Sequence, residues 1–133
     1  MTYSIKYKII ICHLLLKDYY GIPIIFVNNS NFISEMKISV YIIAFNEAEK
    51  IRDCINSVQW ADEIILVDSH STDGTSEIAA ELGAKVFHVN FNGYGELRNQ
   101  AIKHCNGEWI FSLDSDERCT SAARDEILKL IDN

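Results

Sequence analysis

Three observations predict an α/β fold built on one parallel sheet for this chain of 133 residues. Apolar runs of strand length alternate with segments whose apolar residues recur at helical spacing. Three of the runs end abruptly in polar or acidic residues, most clearly residues 109–113, which lead into Asp-Ser-Asp-Glu at 114–117. The hydrophobic fraction of 48% is enough for one domain with a core. The element order is β-α-β-α-β-α-β-α, which right-handed crossovers arrange as a parallel sheet layered with helices.

Residues 38–43 form the first predicted strand. They are a continuous β-branched and aromatic run, typical of strands buried on both faces, so we expect this strand to be central. Asn46 and Glu49 then have the spacing of a capping box, ahead of a helix over residues 47–58. The second predicted strand covers residues 63–68. These elements make the first crossover unit of the sheet.

A loop rich in hydroxyl groups follows the second strand and leads into a predicted helix over residues 75–82, for which Asp73 is a candidate N-cap. Gly83 stands where a glycine commonly ends a helix, and residues 84–89 form the third strand. The loop 90–95 contains two glycines and opens onto the next helix.

The last predicted elements are a helix over residues 96–105, a strand over residues 108–113 and an amphipathic helix over residues 121–131. This strand delivers the acidic residues to its C-terminal end, as the first two strands deliver polar residues to theirs. In an open α/β sheet, ligands bind at that edge. The sequence therefore predicts a polar ligand site beyond the ends of three strands.

The charge distribution separates the first 35 residues from the rest. Residues 1–35 hold three basic and two acidic residues, while residues 36–133 hold nine basic and seventeen acidic ones. We expect the domain to begin at Met36 and residues 1–35 to be an appended or misassigned leader. No apolar run reaches the roughly 18 residues of a membrane span. The net charge of -7 argues against a nucleic-acid partner and suits a site for a divalent metal.

The four cysteines are far apart in the sequence and form no C-x-x-C pair. We expect reduced thiols that fill the core of a cytosolic protein, with neither a zinc site nor a redox pair. The chain also lacks the glycine-rich phosphate loops of the common mononucleotide-binding and dinucleotide-binding folds. Phosphate binding therefore has to come from other groups.

Asp114 and Asp116 are the strongest candidates for a ligand site. If strand geometry persists, alternation places them on the same side. Two such carboxylates repel each other unless a cation lies beside them, which suits Mg²⁺ or Mn²⁺ carried with a diphosphate. The alternative is a solvated turn whose carboxylates cap the following segment.

Other polar residues near the strand ends each allow two interpretations. Asp68 can accept a hydrogen bond from a base or a ribose hydroxyl, or make a local turn. Arg98 can bind phosphate through its forked donors, or pair with Glu96. Asn46 and Glu47 can contact a ligand or cap the helix that follows.

Four stretches occur together in a specific order and spacing. They are Ile-Ser-Val-Tyr-Ile-Ile-Ala-Phe-Asn-Glu at 38–47, Glu-Ile-Ile-Leu-Val-Asp-Ser-His-Ser-Thr-Asp-Gly-Thr at 63–75, Arg-Asn-Gln-Ala at 98–101 and Leu-Asp-Ser-Asp-Glu at 113–117. Over about residues 37–131 the chain resembles the family 2 glycosyltransferases with the GT-A fold. Trp-Ala-Asp-Glu at 60–63 and the acidic ending are similar to the bacterial lipopolysaccharide core glucosyltransferase branch.

The resemblance implies a donor site for a nucleotide-diphosphate sugar, with Mg²⁺ or Mn²⁺. It implies that Ala44, Asn46 and Glu47 line the nucleotide pocket and that Asp68 binds the base. It also implies that Arg98 lies near the nucleotide, that Asp114 approaches the ribose or sugar, and that Asp116 holds the metal. It further implies inverting transfer to a cell-envelope glycan or lipid-linked acceptor. The expected location is cytoplasmic, with peripheral association at the inner membrane.

The sequence departs from the family pattern in two places. Family members continue past the acidic motif into an acceptor-binding half with a general base, whereas this chain ends at Asn133. We therefore expect residues 36–133 to be a donor-binding half whose general base would lie beyond residue 133; losing such a base costs about two to four orders of magnitude in rate. His70 stands where the family usually has a smaller residue, and we expect it to alter the base pocket.

Two alternatives to an active transferase stay open. One is a non-catalytic fragment that binds nucleotide sugar, including a decayed gene product. The other is a nucleotidyltransferase, which also uses acidic groups at a parallel sheet edge. That class typically has a glycine- and lysine-rich phosphate loop after the first strand, where this chain has Ala-Phe-Asn-Glu at 44–47.

Overall fold

A computed structural model describes residues 8–11, as backbone, and residues 36–132. Strands and helices alternate along the second range, as predicted. The strands are β1 (Lys8–Ile11), β2 (Ile38–Ala44), β3 (Glu63–Asp68), β4 (Lys85–His88) and β5 (Trp109–Asp114), and the helices are α1 (Ala48–Asn56), α2 (Thr75–Glu81), α3 (Tyr94–His104) and α4 (Ser121–Ile131).

The sheet is parallel throughout, with the order β1-β5-β2-β3-β4. The β2 strand is central, which confirms the expectation from its continuous apolar run. The β1 strand pairs with β5 at one edge, Lys8 opposite Trp109. A short backbone segment from the region expected to be a leader thus extends the sheet, whereas residues 12–35 lie outside the described residues. The start of the domain at Met36 stays a prediction.

Two clusters of apolar side chains fill the two faces of the sheet. On β2, Val40 and Ile42 point to one face and Tyr41 to the other, as strand alternation requires. Helices α1, α2 and α4 pack on the first face. Helix α3 packs on the second through Leu97 and Ala101. Because both faces are covered, the strands read as unbroken apolar runs in the sequence.

The starts of helices differ most from the predictions. The capping box at α1 is wrong: Glu47 occupies the N-cap position, and its side chain makes no capping hydrogen bond. At α2 the N-cap residue is Gly74, with Asp73 one residue earlier. The α3 helix begins at Tyr94, two residues before the prediction, while α4 covers the predicted residues. Gly83 has the expected positive φ, 89°, after α2.

A buried carboxylate ties the strands together at the edge where they begin. Glu63 accepts hydrogen bonds from Ser39 Oγ (2.6 Å), Lys85 Nζ (2.9 Å), and Asn106 N and Nδ2 (2.9 and 2.8 Å). Gly107 N donates to Ser39 Oγ at 2.7 Å. Burial of Glu63 favours its neutral form, but the bonds from Ser39, Asn106 and Lys85 outweigh this effect and lower its pKa.

The expectation that the cysteines fill the core is confirmed where the structure describes them: Cys54, Cys105 and Cys119 are buried, and Cys54 and Cys105 are free thiols. Cys12 lies outside the described residues. Burial, the largest cause in each case, raises the pKa of the Cys54 and Cys105 thiols to about 12. None of the described helices has the length and apolarity that a membrane crossing needs.

Candidate functional site

A cavity of about 770 Å³ lies beyond the C-terminal ends of β2, β3 and β5, at the edge where the sequence predicts a ligand site. Its volume is in the range of small-molecule sites. The lining residues are Ile43, Ala44, Phe45, Glu47, Ser69, Phe91, Tyr94, Leu97, Arg98, Asp114, Ser115 and Asp116. Five of the seven predicted site residues are therefore brought together: Ala44, Glu47, Arg98, Asp114 and Asp116.

The acidic motif forms a tight turn at one end of this cavity. The β5 strand ends at Asp114, whose carbonyl accepts a hydrogen bond from Glu117 N at 2.9 Å. The carboxylate of Glu117 accepts in return from Asp114 N at 3.0 Å. Strand alternation therefore does not continue to Asp116, contrary to the geometry assumed from the sequence. Asp114 and Asp116 nevertheless both line the cavity, while Glu117 stabilises the turn.

The two aspartates suit a metal that is shared with a ligand. Within residues 36–132, the carboxylates of Asp114 and Asp116 accept no hydrogen bond and form no ion pair, and both residues are exposed. No group of three or more histidine, cysteine or acidic residues in the described part of the chain could hold a metal ion. Mg²⁺ and Mn²⁺ commonly take one or two carboxylates and complete their shell with phosphate oxygens and water. The donor set therefore fits a metal bound together with a diphosphate.

Arg98 supplies a positive charge to the same cavity. It lies in the second turn of α3, and in the described residues its guanidinium makes no hydrogen bond or ion pair. The alternative pairing with Glu96 is not formed, since Glu96 accepts a hydrogen bond from Gln100 Nε2 at 2.7 Å instead. The guanidinium is thus available to an anionic ligand. Glu47, also in the wall, lies 3.7 Å from Lys50 Nζ.

Asn46 and Asp68 are the two predicted site residues that do not line the cavity. Asn46 has a left-handed backbone, φ 51°, and its Oδ1 accepts a hydrogen bond from Thr72 N at 2.9 Å. Asp68 is fully buried; its carboxylate accepts from both the backbone N–H and the hydroxyl of Ser71 and lies 3.3 Å from His88 Nδ1. Both side chains hold loops in place, and their direct contact with a ligand stays a prediction.

The loop after β3 caps the helix after β2. Asn46 N donates to Ser71 Oγ at 2.8 Å, and the next two backbone N–H groups donate to Thr75 Oγ1 (2.9 Å) and Asp73 Oδ2 (3.1 Å). The hydrogen bond from the Thr75 hydroxyl is the main cause that lowers the pKa of Asp73. Side chains about 25 residues away thus satisfy backbone donors at the start of α1, including Asn46 N, which a capping box would pair with the Glu49 side chain.

Three aromatic residues of the cavity were not singled out from the sequence. Phe45, Phe91 and Tyr94 are 60%, 56% and 69% exposed, although large apolar side chains are usually buried. For Phe91 and Tyr94 the sequence does carry an indication of exposure: both lie among the glycines and asparagines of the loop 90–95, which offers them no core position. Ser69, in the same wall, was noted only as the residue after Asp68.

The fold and the cavity define an α/β domain with a cavity of small-molecule size at the C-terminal edge of its sheet. Residues 39–133 match the family described as Glycosyl transferase family 2, so the chain belongs to this family. Its fold is the nucleotide-binding half of the GT-A fold, as predicted. The membership favours the glycosyltransferase prediction over the nucleotidyltransferase alternative.

Two similar proteins show how the match is distributed. An uncharacterized glycosyltransferase of Rickettsia bellii is 47% identical over 92 residues, which are 68% of this chain and 31% of that protein. The lipopolysaccharide core biosynthesis glycosyltransferase LpsC of Rhizobium meliloti is 34% identical over 104 residues, 74% of this chain and 38% of LpsC. The chain thus spans about a third of the length of these relatives, and the LpsC match confirms the resemblance to the lipopolysaccharide core branch.

Solved structures of glycosyltransferases share the fold. TarS of S. aureus superimposes with a TM-score of 0.64 and 31% identity, over 73% of this chain and 32% of the TarS chain. Glucosyl-3-phosphoglycerate synthase of Mycobacterium tuberculosis, in a complex with Mn²⁺, uridine diphosphate and glucosyl-3-phosphoglycerate, superimposes with a TM-score of 0.56 and 29% identity, over 63% of this chain and 36% of that one.

Proposed function

We propose that the cavity binds the nucleoside diphosphate of a nucleotide-sugar donor together with Mg²⁺ or Mn²⁺. The observation behind this proposal is that Asp114 and Asp116 line the same cavity as Arg98, whose guanidinium has no ion-pair partner within residues 36–132. Two carboxylates alone would repel a diphosphate, and a divalent cation held by Asp114 and Asp116 would offset that repulsion. The synthase similar to this chain has been solved with Mn²⁺ and uridine diphosphate, which supports the choice of ligand.

Each of the five predicted site residues that line the cavity has a role in this proposal. Asp116 holds the metal, Asp114 approaches the ribose or sugar, and Arg98 binds a phosphate oxygen through its forked donors. Ala44 and Glu47 form the wall beside the nucleotide. When bound, the metal neutralises charge that builds on the diphosphate as it leaves the sugar.

The reaction that we propose for this site is inverting transfer of the sugar to a cell-envelope glycan or lipid-linked acceptor, in the cytoplasm at the inner membrane. The similarity to LpsC supports a lipopolysaccharide-type acceptor. In such a reaction a general base takes the proton of the acceptor hydroxyl while the nucleoside diphosphate departs. Release of nucleoside diphosphate from a nucleotide sugar, with and without acceptor glycans, separates transfer from binding alone.

Calorimetric titration of the chain with uridine diphosphate, with and without Mn²⁺, tests the donor site. We expect Mn²⁺ to tighten binding and Asp116→Asn to remove that effect, because the amide keeps the shape of the side chain without its charge. Asp125→Asn is the matched control, since Asp125 is an exposed residue of α4 outside the cavity. Equal Mn²⁺ dependence in the Asp116→Asn variant and the unmodified chain would disprove the metal role of Asp116.

A further inference from the structure

Phe91 and Tyr94 form an exposed aromatic pair in the cavity wall. Their ring centroids are 5.3 Å apart with an interplanar angle of 77°, an edge-to-face contact. The pair is more than half exposed, with 56% and 69% of the two residues accessible, so it contributes little to the core. An open ring face in a cavity is a surface on which a flat ligand group can stack.

The aromatic pair and the acidic turn belong to different ends of the sheet. Phe91 follows β4 by three residues, whereas Asp114 ends β5. In the order β5-β2-β3-β4 these strands are three spacings apart, which is about 14 Å at ~4.8 Å per spacing. The cavity therefore has carboxylates for a metal and phosphates at the end of β5, while Phe91 lies in the part of its wall that follows β4. A ligand with an anionic end and a planar end fits both.

Ser69 gives a second, independent indication of a polar ligand in this part of the cavity. Its hydroxyl oxygen is buried and has no hydrogen-bond partner in the described structure, although the residue lines the cavity at the end of β3. Buried hydroxyl groups nearly always have a partner, and an unpaired one calls for an explanation. A carbonyl, an N–H or a hydroxyl group of a bound ligand would satisfy it.

Side chains of a neighbouring loop hold the aromatic pair in place. His70 Nε2 lies 2.8 Å from Asn90 Oδ1, one residue before Phe91. The His70 ring stacks on His88 at 5.8 Å, and Val89 N donates to Asp68 O at 2.9 Å. These contacts tie the segment that follows β4 to the loop that follows β3. His70 thus contacts the residue before Phe91, and its effect on a base pocket stays a prediction.

We propose that Tyr94, supported by Phe91, stacks on the nucleobase of the donor and that the Ser69 hydroxyl bonds a polar group of the same nucleoside. This inference rests on the proposed binding of a nucleotide sugar and adds the residues that recognise its planar end. Asp68 is then a positioning residue: its buried carboxylate holds Ser71 in place and lies next to His88.

The test compares uridine diphosphate with inorganic pyrophosphate, both titrated into the full chain in the presence of Mn²⁺. Pyrophosphate keeps the anionic end of the ligand and lacks the base. We expect Tyr94→Ala to weaken the binding of uridine diphosphate by about tenfold or more and to leave the binding of pyrophosphate unchanged. Tyr94→Phe keeps the ring and should bind nearly as the unmodified chain does. Leu130→Ala is the matched control, because it truncates a 49% exposed apolar residue outside the cavity.

The possible outcomes separate this inference from the proposed function. If the unmodified chain binds neither ligand, the donor site itself is wrong, and the inference falls with it. If the unmodified chain binds both ligands and Tyr94→Ala changes neither, the donor site stands and base stacking is wrong. Equal weakening of both ligands by Tyr94→Ala would also overturn stacking. Phe91→Ala, checked for native circular dichroism, provides the same comparison if Tyr94→Ala fails to fold.

Discussion

Replacing Glu63 with glutamine should destabilise the fold without touching the cavity. The carboxylate of Glu63 is 1% exposed and receives four hydrogen bonds, from Ser39, Lys85 and Asn106. In either orientation, the amide nitrogen of a glutamine would face a donor of Asn106. The substitution therefore leaves donors of this network unpaired and removes a charge from the bonds that remain.

The expected cost follows from these contacts. An unsatisfied buried donor costs about 1–3 kcal/mol, and neutralising an acceptor of charged bonds costs roughly 1 kcal/mol more. We expect a loss of about 2–4 kcal/mol in the free energy of unfolding, which lowers Tm by about 10 °C for a domain of this size. Urea denaturation followed by tryptophan fluorescence and circular dichroism measures it. Glu126→Gln, at an exposed residue of α4, is the control and should stay within about 0.5 kcal/mol.

The pH dependence gives an additional check on the same substitution. The pKa of Glu63 in the fold is below its ordinary value of 4.5, so its charge stabilises the fold above that pH, and this contribution is lost as the pH falls through the lowered pKa. The difference between the unmodified chain and the Glu63→Gln variant should therefore narrow below about pH 4.5. A variant as stable as the Glu126→Gln control at pH 7 would refute the reasoning.

Two further predictions concern the packing of the same domain. Gly107→Ala should lower the free energy of unfolding, measured by urea denaturation, by about 1–3 kcal/mol or more, because a Cβ there would lie 2.5 Å from Ser39 N. Gly95→Ala is the control: its Cβ would meet nothing within 4 Å, so the change should be neutral or slightly stabilising. Equal effects of the two substitutions would contradict this account. Cys54 and Cys105 should resist alkylation at pH 8 in the native protein and react after unfolding, since burial raises the pKa of each thiol to about 12. Peptide mass spectrometry locates the labelled residues. Rapid labelling of either cysteine in the native protein would show that the core is open there.

The candidate site was predictable where it depends on strand ends. The turn at Asp114 and Asp116 follows an apolar strand abruptly, and the parallel order of the elements places the ends of β2 and β5 at one edge. Asp68 has the same sequence context, yet its carboxylate accepts hydrogen bonds from Ser71, and the residue does not line the cavity. Sequence position places a residue at the edge of a sheet, but hydrogen bonding decides whether its side chain is free.

The amino-acid sequence by itself determined the order of the elements from residue 38 onward, the central position of β2 and the acidic edge of the sheet, because hydrophobic periodicity and strand length are local properties of the chain. It did not predict that β1 pairs with β5. Only the tertiary structure decided which groups cap α1, how the Phe91–Tyr94 pair reaches the cavity, and that the Ser69 hydroxyl has no hydrogen-bond partner among the described residues. These features depend on contacts between loops that are about 20 to 25 residues apart, such as those of His70 with Asn90 and of Ala48 with Asp73. Local patterns carry no information about such contacts, since they form only when the sheet brings the loops together.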